Sequence, residues 1–150
     1  LLEAQRIPNV HPEDQTWHDR FDDINAFEKH LARNGTAIVK IFLHVSKEEQ
    51  KNRFLDRINR PDKHWKFAGA DIKERQYFDD YTKAYEEMIA ATSTEYAPWY
   101  VVPADKKWVS RAAVATILAG TIDQLGLTWP AVSEKQEQEI ESARKKLEAE

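Results

Sequence analysis

Residues 51–75 carry eight cations, Lys51, Arg53, Arg57, Arg60, Lys63, Lys66, Lys73 and Arg75, against four acids, Asp56, Asp62, Asp71 and Glu74. The segment is therefore +4 in a chain whose formal net charge is -4, so the remainder sits near -8. One basic patch on an otherwise acidic protein points to a bounded anionic ligand rather than to an extended polyanionic surface. Arg53 and Arg57 stand four residues apart, so on a helix their guanidinium groups share a face. Arginine suits forked contact with phosphate oxygens, whereas lysine supplies a point charge. Lys63 and Lys66 bracket Trp65, and Arg75 follows one turn into the next helix. The competing reading is that these cations solvate two exposed helices and pair with Asp56, Asp62 and Glu74.

Other residues with chemical potential are sparser. Asp105 and Lys106 follow a second apolar stretch, at the carboxyl edge where α/β sheets bind ligands; a nucleotide contact there competes with a plain helix N-cap by Asp105. Lys40 and His44 share a face of one strand, the lysine expected to pair with a carboxylate and the histidine to be a satisfied core residue. The five histidines have no H-x-x-x-H or similar spacing, so no protein-bound zinc is expected. No cysteine is present, which excludes disulfides and thiolate metal sites.

The elements that must carry these residues are legible from periodicity. A helix is expected over about 17–33, capped by Thr16 and stopped by Asn34-Gly35, with Phe21, Ile24, Phe27 and Leu31 on one face. Residues 36–45 alternate Ala37, Val39, Ile41, Leu43 and Val45 with a second face that is half apolar, the pattern of a strand inside a helix-covered parallel sheet. Ser46 to Glu49 reads as a capping box opening a helix to about 58, and Asp71 to Glu74 as a second box opening one helix to about 91, with Phe78, Tyr81, Tyr85 and Met88 or Ile89 inward. Gly69 is a hinge or a turn residue. A short strand at 99–102, an apolar helix over 106–125 ended by Gly126, and a thinly striped surface helix over 133–147 complete the chain.

Two strands cannot make a covered parallel sheet, so its neighbours are expected outside this sequence. A two-stranded α+β domain is the alternative. The longest apolar run is too short to span a membrane. No signal peptide is visible, so the default expectation is a cytoplasmic protein. The first residue is Leu rather than Met, which hints at a processed or truncated chain.

The ordered runs Ile24-Asn25-Ala26-Phe27-Glu28-Lys29-His30-Leu31, Asn34-Gly35-Thr36 and Phe42-Leu43-His44-Val45-Ser46-Lys47-Glu48-Glu49-Gln50 resemble the central part of the type-2 polyphosphate kinase family. So do Arg53-Phe54-Leu55-Asp56-Arg57, Pro61-Asp62-Lys63-His64-Trp65-Lys66-Phe67, Asp71 and Asp79-Asp80-Tyr81. Ala97-Pro98-Trp99-Tyr100-Val101-Val102-Pro103-Ala104-Asp105 and Lys107-Trp108 with Arg111 extend the likeness to about residue 125.

The resemblance implies an α/β fold, a P-loop-kinase-like three-layer α/β/α arrangement with a parallel sheet. This chain would contribute only the C-terminal part, about two strands and five helices. It implies one domain over 1–150, with a lid at about 51–75 and a C-terminal helical extension at about 127–150. The activity implied is transfer of a phosphoryl group between inorganic polyphosphate and a nucleotide. Trp65-Lys66-Phe67, Pro98-Trp99-Tyr100 and Thr128-Trp129-Pro130 look closer to branches acting on AMP and ADP.

Polyphosphate contact carries over to Arg53, Arg57, Lys66 and Arg75, with Lys63 a weaker member, while the weak nucleotide contact at Asp105 and Lys106 rests on their place at the carboxyl edge of the second strand. The family's glycine-rich phosphate loop and acidic metal-binding motif lie upstream. The four glycines here, Gly35, Gly69, Gly120 and Gly126, fit no such loop. The catalytic residues are therefore unknown, Mg²⁺ would arrive with phosphate and be held mainly by residues outside this chain, and the chain alone is expected to be inactive. A homo-oligomeric parent is expected, and no membrane or nucleic-acid partner. A polyanion- or RNA-binding module, stacking bases on Trp65, is the alternative function.

Overall fold

The computed structural model describes residues 13–149. Helix α1, Glu13–Arg33, starts one turn earlier than expected, so Thr16 lies inside the helix and does not cap it. Its last turn carries His30 and Arg33, which complement the negative end of the helix dipole. Gly35 then turns the chain at φ 84°, a conformation that costs glycine little. The Gly35 N–H reaches the Ala32 carbonyl and the Thr36 N–H the Leu31 carbonyl, closing the helix end.

Strand β1, Lys40–His44, pairs in parallel with β2, Trp99–Pro103, in the register Lys40 to Trp99 and His44 to Pro103. The expected strand over 36–45 is half that long. Its partner sets the limit: β2 begins immediately after Pro98, which has no N–H to give a ladder, and residues 94–97 form a tight turn. Pro103 ends β2 the same way, and the Ala104 N–H takes up the pairing with the His44 carbonyl at 2.8 Å. Parallel pairing requires a long crossover, supplied by α2 (Lys47–Asn59), a 3₁₀ turn (Pro61–Lys66), α3 (Gly69–Glu74), a second 3₁₀ turn (Arg75–Tyr77) and α4 (Phe78–Thr92).

The single helix expected over 71–91 is thus two helices, because Tyr77 leaves the helical region at φ -93°, ψ 17°. Periodicity is blind to such a bend. Nor is Asp71 to Glu74 a capping box: α3 opens at Gly69 after Ala68, which offers no side-chain cap, and Asp71 already lies inside the helix. Gly69 has no positive φ and is simply the first helical residue.

Helix α5, Lys107–Gln124, packs on β2, α1 packs on α4, and α6, Glu134–Glu148, is exposed along its length, as its thin stripe implied. A complete capping box opens α6, with Ser133 and Gln136 satisfying each other's backbone N–H groups. Among the described residues six α-helices therefore stand where five were expected, beside the two expected strands.

The deepest part of the molecule is small. Ala97, Val102 and Ala104 are the buried apolar residues among those described, while Leu43 and Val101 on the sheet are 52% and 56% exposed. A parallel sheet is normally covered on both faces, and this one is not. Lys40 anchors a tightly tied polar cluster of the interior: its ammonium lies 2.6 Å from the Glu28 carboxylate of α1 and 2.6 Å from the Thr92 carbonyl of α4. Asn25 donates to the Ala91 carbonyl and Tyr96 donates to that of Asn25, fixing α1 across the end of α4.

Candidate functional site

Two loops leave the carboxyl ends of the strands side by side, and their backbone bonds set the geometry of the basic segment. Ser46 caps α2 by accepting the Glu49 N–H at 3.1 Å, but the reciprocal half of the expected box is absent. The Ser46 N–H instead donates to the Asp105 carboxylate at 2.8 Å. That contact holds the Asp105 carboxyl below its ordinary range, chiefly through this backbone hydrogen bond. Asp105 therefore does not cap its own helix; it joins the β1–α2 and β2–α5 corners. Lys106 is the N-cap of α5 and offers no side-chain cap.

Glu49, freed from the box, accepts from the Arg53 guanidinium at 2.8 Å. Arg53 also donates to the carbonyls of Ala104 (2.5 Å) and Asp105 (3.3 Å). Much of its donor set is thus committed to the β2–α5 corner. Arg57, one turn on, has its guanidinium over the Phe54 ring and 4.0 Å from Asp71 of α3. Arg75 reaches back across the crossover to the Gln50 side-chain oxygen at 2.5 Å. Arg53 and Arg57 thus lie on α2 and Arg75 opens the second 3₁₀ turn, each half-buried and each held by a named partner. Lys47 of α2 adds an ion pair to Asp79 at 2.9 Å.

The lysines behave differently. Lys63 is taken by Asp56 at 2.5 Å, and Arg60 by Asp62 at 2.8 Å, as the solvated-helix reading anticipated for those carboxylates. Each carboxyl is lowered first by the hydrogen bond from its partner. Glu74 instead accepts from the Tyr81 hydroxyl at 2.6 Å, which raises the phenol. Among the described residues Lys66 makes no ion pair; its ammonium sits 4.8 Å above the ring of Trp65. Trp65 is 79% exposed.

Beside this cluster a cleft of about 710 Å³ opens between the end of β1 and α4. Phe42, Tyr85 and Tyr81 line it in contact, with centroids 5.0 and 6.4 Å apart, and Gln50, Glu74 and Arg75 form part of its wall. His44 also lines the cleft and is exposed, 6.2 Å from the Phe42 ring; it is not the core histidine expected. Tyr81 and Tyr85 are likewise cleft-lining and partly exposed where an inward face was expected.

Gln50, Glu49 and the tyrosine pair are the residues that sequence reasoning missed. The Gln50–Arg75 contact spans 25 positions and has no linear signature. Among the described residues no group of three or more His, Asp or Glu side chains is arranged to hold a metal ion, and no helix is long and apolar enough to cross a membrane.

Comparison with known proteins adds an independent line. Residues 4–127 match the family model described as Polyphosphate kinase 2. A Leptolyngbya boryana protein, described as an uncharacterized protein in the chlN 3' region, is 52% identical over 134 residues, covering 89% of this chain and 98% of that one. An ADP-polyphosphate phosphotransferase of Rhodopseudomonas palustris is 44% identical, covering 98% of this chain and 51% of that protein. An AMP/ADP-polyphosphate phosphotransferase of Meiothermus ruber is 46% identical, covering 83% of this chain and 46% of that protein. The crystal structure of Polyphosphate Kinase 2 from Arthrobacter aurescens superposes with a TM-score of 0.81 at 42% identity, over 88% of this chain and 47% of that one. The chain thus spans about half the length of the two named phosphotransferases and of that structure.

Proposed function

This chain belongs to the polyphosphate kinase 2 family and carries part of a P-loop-kinase-like α/β fold; on that premise we propose that it supplies the lid and C-terminal half of an enzyme moving phosphoryl groups between inorganic polyphosphate and a nucleotide. AMP and ADP are the acceptors favoured, in keeping with the names of the Rhodopseudomonas and Meiothermus relatives. The observation that carries the reading is that Arg75 forms part of the wall of the open cleft and is tied to Gln50 of α2, the helix that also carries Arg53 and Arg57.

Phosphoryl transfer asks the protein mainly for in-line positioning and for fixed positive charge around the transferring group. In this reading Arg57 and Arg75 contact polyphosphate directly. Their present partners, a carboxylate at 4.0 Å and a neutral amide, leave guanidinium N–H groups for phosphate oxygens. Arg53 is mainly a latch that fixes α2 to the corner and presents its remaining face. Lys66 would swing from Trp65 to the anion, and Lys63 would exchange Asp56 for it. Residues 51–75 act as the lid, whose closure excludes water and protects a phosphoanhydride from hydrolysis. Lys106, at the N-cap of α5, is the nucleotide contact, while Asp105 serves that corner by holding the Ser46 N–H.

Mg²⁺ would supply charge neutralisation on the phosphates. In this reading its protein ligands lie mainly outside this chain; among the described residues no three His, Asp or Glu side chains stand together as a site for it. The chain alone is proposed to be inactive, because nothing in it replaces a phosphate loop.

The test is polyphosphate-dependent formation of ADP from AMP and ATP from ADP. It is run on this chain alone and on a chimera joining it to the N-terminal half of the Rhodopseudomonas palustris relative. Turnover by the chimera and not by the chain supports the reading. A chimera that binds polyphosphate and RNA alike, with no turnover, would instead favour a polyanion-binding module.

A further inference from the structure

We infer that α6 is a self-association element, pairing antiparallel with α6 of a second copy of this chain. The helix packs on no other element to an appreciable extent among the described residues, and its apolar stripe is open: Ile140 is 57% and Leu147 69% exposed. Ile140, Ala143 and Leu147 recur at intervals of three and four, the spacing of a coiled-coil seam, with Gln136 one step before them. The helix carries local support of its own. Its capping box is complete, and Lys135–Glu139, Glu141–Arg144 and Glu141–Lys145 are paired along its surface.

The occupant follows from the charges that flank the seam. On one flank lie Glu137 and Arg144, and on the other Glu139 and Lys146. Each flank is acidic toward the N-terminus and basic toward the C-terminus. An antiparallel copy sets Ile140 against Ala143 of the second copy and Gln136 against Leu147 of the second copy. That register places Glu137 beside Arg144 of the second copy and Glu139 beside Lys146 of the second copy, and two-fold symmetry repeats both pairs. Parallel pairing would match only Glu139 with Arg144 of the second copy. The seam is short, so the association is weak and concentration-dependent. It is independent of the phosphotransfer reading, which makes no use of α6.

Sedimentation equilibrium of the full chain at low ionic strength tests it with two variants, Glu137→Lys/Glu139→Lys and Arg144→Glu/Lys146→Glu. The first makes both flanks basic and the second makes both acidic. Each alone should dimerise roughly tenfold or more weakly than the unaltered chain, while an equimolar mixture should regain dimer. Ile140→Asp should be monomeric, and circular dichroism of each variant checks that helix content is retained. Variants that dimerise alone as well as the unaltered chain place any dimer interface elsewhere and overturn the inference. An unaltered chain that stays monomeric at every concentration overturns it as well. A mixture no more dimeric than its components removes the charge pairing on which the antiparallel register rests.

Discussion

Lys40 holds an ammonium group nearly out of water, its side chain 10% exposed and that of its partner Glu28 13%. Removing one member of such a pair leaves the other charge buried and uncompensated. Lys40→Ala should therefore cost about 3 kcal/mol in urea unfolding. The double change Lys40→Met/Glu28→Met should cost clearly less, since neither charge is left alone. Arg75 belongs to a different class: it is half-buried, and its contact is a neutral amide. Arg75→Ala in the active parent or chimera should raise the polyphosphate KM by about tenfold, the order expected for a lost charged hydrogen bond. Gln50→Leu should give a smaller rise, because the cation remains and only its orientation is lost. Equal effects of the two would mean that Arg75 acts on the fold rather than on the anion.

Corners and helix ends govern the element scale. Gly35 sits at φ 84° where α1 stops. Gly35→Ala meets no neighbouring atom within 4 Å, so any loss comes from the backbone alone. That loss should be about 1 kcal/mol, read as a fall of a few degrees in Tm. The Ser46–Asp105 bond ties the two corners and depends on a charged carboxylate. Its pKa is depressed in the folded chain, so its contribution is fully present above the ordinary carboxylate pKa near 4 and fades as pH falls through the lower folded value. Protection of the Ser46 amide, its exchange rate taken relative to that of a free amide at the same pH, should accordingly fall only in the acid range below about pH 4. Asp105→Asn keeps the acceptor but loses the charge, so its protection should show no step in that range.

At the scale of the whole molecule the sheet is open among the described residues: Leu43, Val101 and the Phe42–Tyr85 cleft stand uncovered, whereas parallel sheets are normally covered on both faces. The chain spans about half the length of the named phosphotransferases it resembles, and the segment expected as a lid is the most basic part of it. If that segment receives polyphosphate, binding to the chain should weaken steeply with salt, since each neutralised phosphate releases a counterion. The slope of log affinity against log salt should fall by about one for each of Arg57→Ala and Arg75→Ala. Isothermal titration with polyphosphate at several salt concentrations measures this, and an unchanged slope would remove both residues from the anion site.

Sequence alone determined the two strands and most of the helices in their order, the parallel relation of the strands through the length of their crossover, and the concentration of cations in residues 51–75. Those features are local or additive: hydrophobic period, turn residues and net charge are summed along the chain. It could also place Lys40 with a carboxylate, because a cation in an apolar strand has few other solutions. Only the tertiary structure decided which carboxylate, and which cations were already spoken for. Asp56 took Lys63, Gln50 oriented Arg75, and Asp105 left its helix to hold Ser46. It also broke one helix at Tyr77, shortened β1 to the reach of its partner and turned Tyr81, Tyr85 and His44 toward the cleft. Each of these outcomes is a competition between groups far apart in the chain, settled by distance, and distance is what a linear pattern does not contain.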